Sequence, residues 1–240
     1  MKLFGRKPQQ PATATPASQN SPSGLVSFVK QAAVSLEKTG ASGERAAVYL
    51  VADHSGSMDN FYNNGSMQDL AEKVLGMSAN LDDDGTVPVV FFEGRAHRAQ
   101  EVSLDDYQGW MQRAHGRIPW GSTNYVSAMD AVAAHYKKCG AKDPALVVFQ
   151  TDGQPDSTLP VEKALRDYSD RPIFWFFVGF GSGASYLNDL SRLSGRTFNN
   201  VGVFQAGHDP KRVSASSLYE SLSMEFSRML GEARAARVLK

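Results

Sequence analysis

Thiol chemistry is nearly absent from this chain, which holds a single cysteine, Cys139. One thiol cannot close an internal disulfide, and it cannot build a Cys₄ or Cys₂His₂ zinc site. Between Lys138 and Gly140, at an expected helix end and with no evident His and acid pair, it reads as an unreactive helix-end residue. An excess of charge is missing too: 25 Lys+Arg balance 25 Asp+Glu. No global field therefore draws the chain to nucleic acid or to an anionic membrane. Long apolar runs are lacking as well. The longest, 173–180, is far short of the ~20 residues a membrane helix needs. The N-terminus, MKLFGRKPQQ, has a basic start but no apolar stretch of the kind a secretory signal requires. The expectation is a soluble, cytoplasmic chain without a membrane span or a nucleic-acid partner.

What is present suffices for one well-buried domain: 42% of the 240 residues are hydrophobic. Residues 8–23 (PQQPATATPASQNSPS) have almost no core-forming side chains. The division expected is a disordered tail over 1–23 and one domain over 24–240. Leu25, Phe28, Val29, Ala32, Ala33 and Leu36 follow helical spacing, and 47–52 is a continuous apolar strand that ends in Asp53. The alternation continues with helix 67–77, strand 87–92, an edge strand over 97–102 and helix 104–115. Then come helix 125–136, strand 145–150, helix 161–168, strand 173–178, helix 187–193 and a weaker strand over 197–204. Leu218, Leu222, Phe226 and Leu230 form the seam of a last helix. The rhythm predicts an α/β fold, doubly wound, with a mostly parallel central sheet flanked by helices. Ligands of such sheets bind beyond the carboxyl ends of the strands, where strand order reverses. Two predicted strands run into aspartates there, Asp53 and Asp152.

The chemistry concentrates in three loops. Asp53-His54-Ser55-Gly56-Ser57 offers a carboxylate and two alternate hydroxyls around a glycine that permits a tight turn. Trp120-Gly121-Ser122-Thr123-Asn124 offers the Thr123 hydroxyl just before a helix, and Thr151-Asp152-Gly153 offers a second carboxylate. Each piece alone has an ordinary explanation as a helix cap or turn dipeptide. Together they supply the oxygen donors that a hard divalent cation requires, with Mg²⁺ favoured.

Asp53-x-Ser55-x-Ser57, Thr123 and Asp152 resemble the metal-ion-dependent adhesion site (MIDAS) of von Willebrand factor A (vWA) domains. The stretches DHSGSM, LDDDGTVPVVFF, IPWGSTNY, PALVVFQTDGQPD and RPIFWFFVGFG are similar to the TerF-like branch found in bacterial tellurium-resistance clusters, over roughly residues 24–237. The resemblance implies a Rossmann-like vWA fold and a Mg²⁺ site, with Ca²⁺ or Mn²⁺ as alternatives. Ser55, Ser57 and Thr123 would bind the ion directly, and Asp53 and Asp152 largely through waters. It further implies a non-enzymatic interaction module of a bacterial stress system, whose ion accepts a carboxylate from a protein partner.

Two other readings compete. Haloacid-dehalogenase-type phosphatases also place Asp and Mg²⁺ at the end of the first strand, but they need a second Asp where Ser55 stands. Gly179-Phe-Gly181-Ser-Gly183-Ala184 faintly resembles a dinucleotide loop, yet it sits on a late strand without an acid placed for a ribose. A low-strain βα turn explains it as well. His54 is expected to point away from the ion, and His97, His115, His135 and His208 show no ligand spacing. Phe61, Tyr62, Trp120 and Tyr125 flank the loops, and Asn124, Gln154 and Asp156 share their rim. These aromatics either pack under the loops or form an exposed edge for a partner.

Overall fold

Strands β1 (Ala47–Asp53), β4 (Ala145–Thr151) and β5 (Ile173–Phe180) are apolar along almost their whole length, and nearly every residue in them is buried. Such strands suit a sheet with both faces covered. The computed structural model, which describes residues 22–182 and 185–240, shows that arrangement. Six strands lie in the order β3-β2-β1-β4-β5-β6, with β2 at Thr86–Phe92, β3 at Gln100–Ser103 and β6 at Val201–Gly207. All pairings are parallel except β2 with β3. The fold is therefore doubly wound and α/β, as the alternation predicts.

The period of two along each strand divides the core. Val48, Leu50 and Ala52 of β1, with Phe174, Phe176 and Val178 of β5, face one layer of helices. That layer consists of α1 (Pro22–Lys38), α3 (Ser66–Leu81) and α8 (Ala215–Ala235). Tyr49 and Val51, with Trp175 and Phe177, face the opposite layer of α5 (Tyr125–Cys139), α6 (Thr158–Asp167) and α7 (Ser185–Ser191). The described residues also form two shorter α-helices, α2 (Asp59–Asn63) and α4 (Trp110–His115). α1, α3 and α8 pack closely: a Cβ on Gly76 would lie 2.7 Å from Phe28 Cβ and 2.9 Å from the Tyr219 hydroxyl.

Several expected boundaries move. The helix expected over 104–115 forms only at Trp110–His115, because Gly109 adopts φ 61° and starts it there. The strand expected over 197–204 runs at Val201–Gly207. Before it, Asn200 turns inward to donate to the Leu165 carbonyl, and Asn199 accepts from Val201 N. The expected edge strand begins at Gln100, later than 97. The expected tail lies outside the described residues except for 22 and 23, which open α1, and Gly183 and Ala184 of the glycine turn lie outside them too. No helix among the described residues is long and apolar enough to cross a membrane.

Candidate metal centre

Strand order reverses between β1 and β4, which leave their common edge in opposite directions through the sheet. Asp53 ends β1 and Asp152 follows β4, so the two carboxylates emerge side by side at the crevice. The turn after Asp53 is tied down at once. Asp53 Oδ1 accepts from Ser55 N at 2.8 Å, and Oδ2 accepts from the Thr151 hydroxyl at 2.7 Å. Ser55 Oγ lies 3.3 Å from Ser57 Oγ, and Ser57 Oγ donates to Asp152 Oδ1 at 2.9 Å. The Ser55 and Ser57 hydroxyls and Asp152 thus form one run of oxygens, which the Ser55 amide joins to Asp53, 99 positions from Asp152.

Thr123 arrives on a separate loop. Ser55 forms an isolated parallel bridge with Gly121, and Gly56 N donates to the Gly121 carbonyl. Gly121 is required there: a Cβ would stand 2.7 Å from Glu93 Oε2 and 2.9 Å from Glu93 Cβ. Two residues on, Thr123 N donates to Asp156 Oδ1 and the Thr123 carbonyl accepts from Asp156 N, each at 2.9 Å. Asn124 then caps α5 by accepting from Ser127 N. Its cap role is structural.

The side-chain groups joined here are two carboxylates and the hydroxyls of Ser55, Ser57 and Thr151. Among the described residues no three His, Cys, Asp or Glu side chains gather as a ligand group, so any ion here depends on hydroxyls. Ligands at right angles on an octahedral Mg²⁺ at ~2.1 Å are about 3 Å apart. The Ser55–Ser57 hydroxyl separation, 3.3 Å, is close to that edge length. Burial pushes the Asp53 carboxyl up to about 6 despite the hydrogen bonds that favour its ionised form. Burial raises Asp152 as well. A cation would relieve both, since its charge stabilises the ionised carboxylates.

Beneath the rim lies a histidine pair, His54 with His115, that the sequence reading missed, although it expected His54 to point away from the ion. His54 is fully buried and turned away from the acids, stacked on Trp120 with ring centroids 3.8 Å apart. Its Nδ1 is 2.9 Å from the Pro119 carbonyl, which can only accept, so Nδ1 carries the proton. Nε2 then accepts from His115 Nδ1 at 3.3 Å. Burial lowers His54 to about 4 and lowers His115 too, so both rings are neutral at pH 7. His115 thus has a side-chain partner, and so do two other histidines. His97 meets Glu93 at 3.1 Å, and His135 meets the Tyr49 hydroxyl at 3.1 Å and Cys139 Sγ at 3.5 Å. Cys139 does have a histidine one helical turn away, although it is exposed. The His54–His115 and Tyr49–His135 pairings join residues 61 and 86 positions apart and leave no local spacing to read, whereas Glu93–His97 and His135–Cys139 are four apart.

The flanking aromatics divide between the two expectations. Tyr62 and Tyr125 are buried, Phe61 packs against Phe180, and Trp120 remains 42% exposed. The Tyr62 hydroxyl donates to the Asp53 carbonyl at 2.9 Å. Thr151 and Tyr125 also belong to the site. Their signal was a hydroxyl at the last position of a buried strand and a phenol at the first position of a buried helix.

A profile described as vWA found in TerF C terminus matches residues 45–239. The chain belongs to the vWA-TerF-like family. An uncharacterized relative, YcbR of Bacillus subtilis (strain 168), is 30% identical to this TerF-like domain over 217 residues, 88% of each chain. Solved vWA structures share its fold at low identity. Proximal thread matrix protein 1 of the mussel byssus, with a zinc-occupied MIDAS motif, superposes with TM-score 0.58 at 16% identity, over 75% of this chain and 48% of that one. The TerF-like chain thus spans about half the length of the mussel protein. Manganese-loaded TRAP of Plasmodium vivax superposes with TM-score 0.53 at 19% identity, over 74% of each chain.

Proposed function

We propose that this domain is a divalent-cation-dependent protein-interaction module and not an enzyme. In this reading Ser55, Ser57 and Thr123 hold Mg²⁺ directly, and Asp53 and Asp152 hold it largely through waters. The observation that carries the reading is the Ser57 hydroxyl, which lies at a cation-like spacing from the Ser55 hydroxyl and joins the β1 turn to Asp152 across the switch point. A bound ion would supply an electrophilic position for a carboxylate oxygen of a partner. This chain's own part is to present hydroxyls in place of anionic ligands, which leaves more of the ion's charge for that carboxylate. Trp120, exposed beside the Ser55–Gly121 bridge, offers the rim an aromatic contact of the kind enriched at interfaces. Ser55 occupies the position where a phosphatase of the competing type needs its general acid, and its hydroxyl is engaged with Ser57. The neighbours with zinc-occupied and manganese-loaded sites support a divalent ion in this fold. The family match supports a role in a tellurium-resistance-type stress system of the bacterial cytoplasm.

The test is capture of a partner by the full chain from its native cell extract, with Mg²⁺ and with EDTA, alongside Asp53→Ala. The module reading expects the same partner to be lost on chelation, restored by Mg²⁺ and never retained by Asp53→Ala. A partner set indifferent to both treatments contradicts it.

A further inference from the structure

Tyr125 is fully buried, its ring set among Phe92, Phe149 and Phe177 with centroids 4.9–6.2 Å away. Its hydroxyl is its one polar atom, and it reaches the carboxyl edge of the sheet. There it donates to Thr151 Oγ1 at 2.9 Å, sharing that proton with the Gly153 carbonyl beside Asp152. Thr151 passes the contact on by donating to Asp53 Oδ2 at 2.7 Å. The Tyr125 backbone itself follows Thr123 and Asn124. One phenol therefore touches all three loops: the Asp53 turn through Thr151, the Asp152 turn through Gly153, and the Thr123 loop through the chain.

We infer that the Tyr125 hydroxyl and the Thr151 hydroxyl act as a positioning relay that sets the ion affinity of this centre. The inference rests on the metal-centre reading above. Asp53 is buried and has two carboxylate oxygens to orient, and only one of them is held by its own turn. Thr151 fixes the other, and Tyr125 fixes Thr151. Without the relay the carboxylate can rotate, and the Asp152 turn loses its tie to α5. Partners behind metal ligands typically govern affinity by 10–100-fold.

Mn²⁺ titration followed by electron paramagnetic resonance, on the full chain, tests the relay. Tyr125→Phe keeps the ring and removes one oxygen, and it is expected to weaken Mn²⁺ binding about tenfold or more. Thr151→Val should do the same, while Thr151→Ser restores the hydroxyl and should bind close to wild type. The Tyr125→Phe, Thr151→Val pair should be no weaker than the worse single variant, because both break one chain. A merely structural role would lower the ion-free melting temperature and leave affinity at 25 °C unchanged; that outcome overturns the inference. So does a Thr151→Ser variant as weak as Thr151→Val. If the wild type fails to bind Mn²⁺, or binds it equally after Asp53→Ala, the metal-centre reading falls and takes the relay with it. Wild-type binding that Asp53→Ala abolishes but Tyr125→Phe spares removes the relay alone.

Discussion

Asp53 holds two opposing demands. Its burial resists ionisation and lifts it to about 6, yet an ion can bind only the deprotonated form. The sign follows from linkage. In the ion-free domain the folded-state value exceeds the unfolded one, so this group's stabilising contribution is present below about pH 4 and is lost as pH rises through about 6. Ion binding removes that loss. The gap in melting temperature between Mg²⁺-loaded and EDTA-treated protein should therefore widen from pH 5 to pH 7, and a gap that shrinks over this range contradicts the assignment. Glu72 offers a control remote from the rim. It is buried on α3, raised by burial, with Gln68 donating to one oxygen and the other unpartnered. Glu72→Gln should raise the urea midpoint at pH 8 by an amount equivalent to about 1 kcal/mol, and the gain should diminish at acid pH. At this scale the grouping of Asp53, Ser55, Ser57 and Asp152 was legible because the first three sit within one turn and Asp152 follows an obvious strand. Thr151, Tyr125 and the His54–His115 pair were not, since each acts through a partner at least 26 residues away.

Elements place these groups, and two glycines show how tightly. Gly121 lets the loop before α5 pass against Glu93, while the Glu93 carbonyl accepts from Asn124 N. Gly121→Ala should push that loop outward and carry Thr123 with it. Calorimetric titration should show weaker Mg²⁺ binding, with the far-ultraviolet circular dichroism of the wild type retained; unchanged binding would mean the loop absorbs the methyl group. Gly76→Ala acts elsewhere, driving α3 away from Phe28 and Tyr219 at a cost of about 1–3 kcal/mol. Denaturant unfolding should record that loss without any change in ion affinity. The strands β1, β4 and β5 were readable as apolar runs, whereas β6 and α4 were displaced. Their ends are fixed by Asn199, Asn200 and a left-handed Gly109, whose effects depend on local turns and not on hydrophobic period.

For the molecule as a whole, the order β3-β2-β1-β4-β5-β6 matters most. It makes β1 and β4 neighbours with opposite onward connections, and so brings together carboxylates 99 positions apart in the chain, Asp53 and Asp152. Alternation of strands and helices predicts the class of fold, but which strand lies beside β1 is set by packing of the two helical layers and cannot be read from any single segment. The exposed Trp120 and the oxygen cluster share one edge of the sheet, the edge at which the proposed interaction would take place. The most direct measurement is a crystal structure grown with Mn²⁺, with data collected at the manganese absorption edge. The account predicts one anomalous peak enclosed by Ser55, Ser57 and Thr123, with Asp53 and Asp152 behind it. A peak elsewhere, or none at this edge when manganese is saturating, would contradict it.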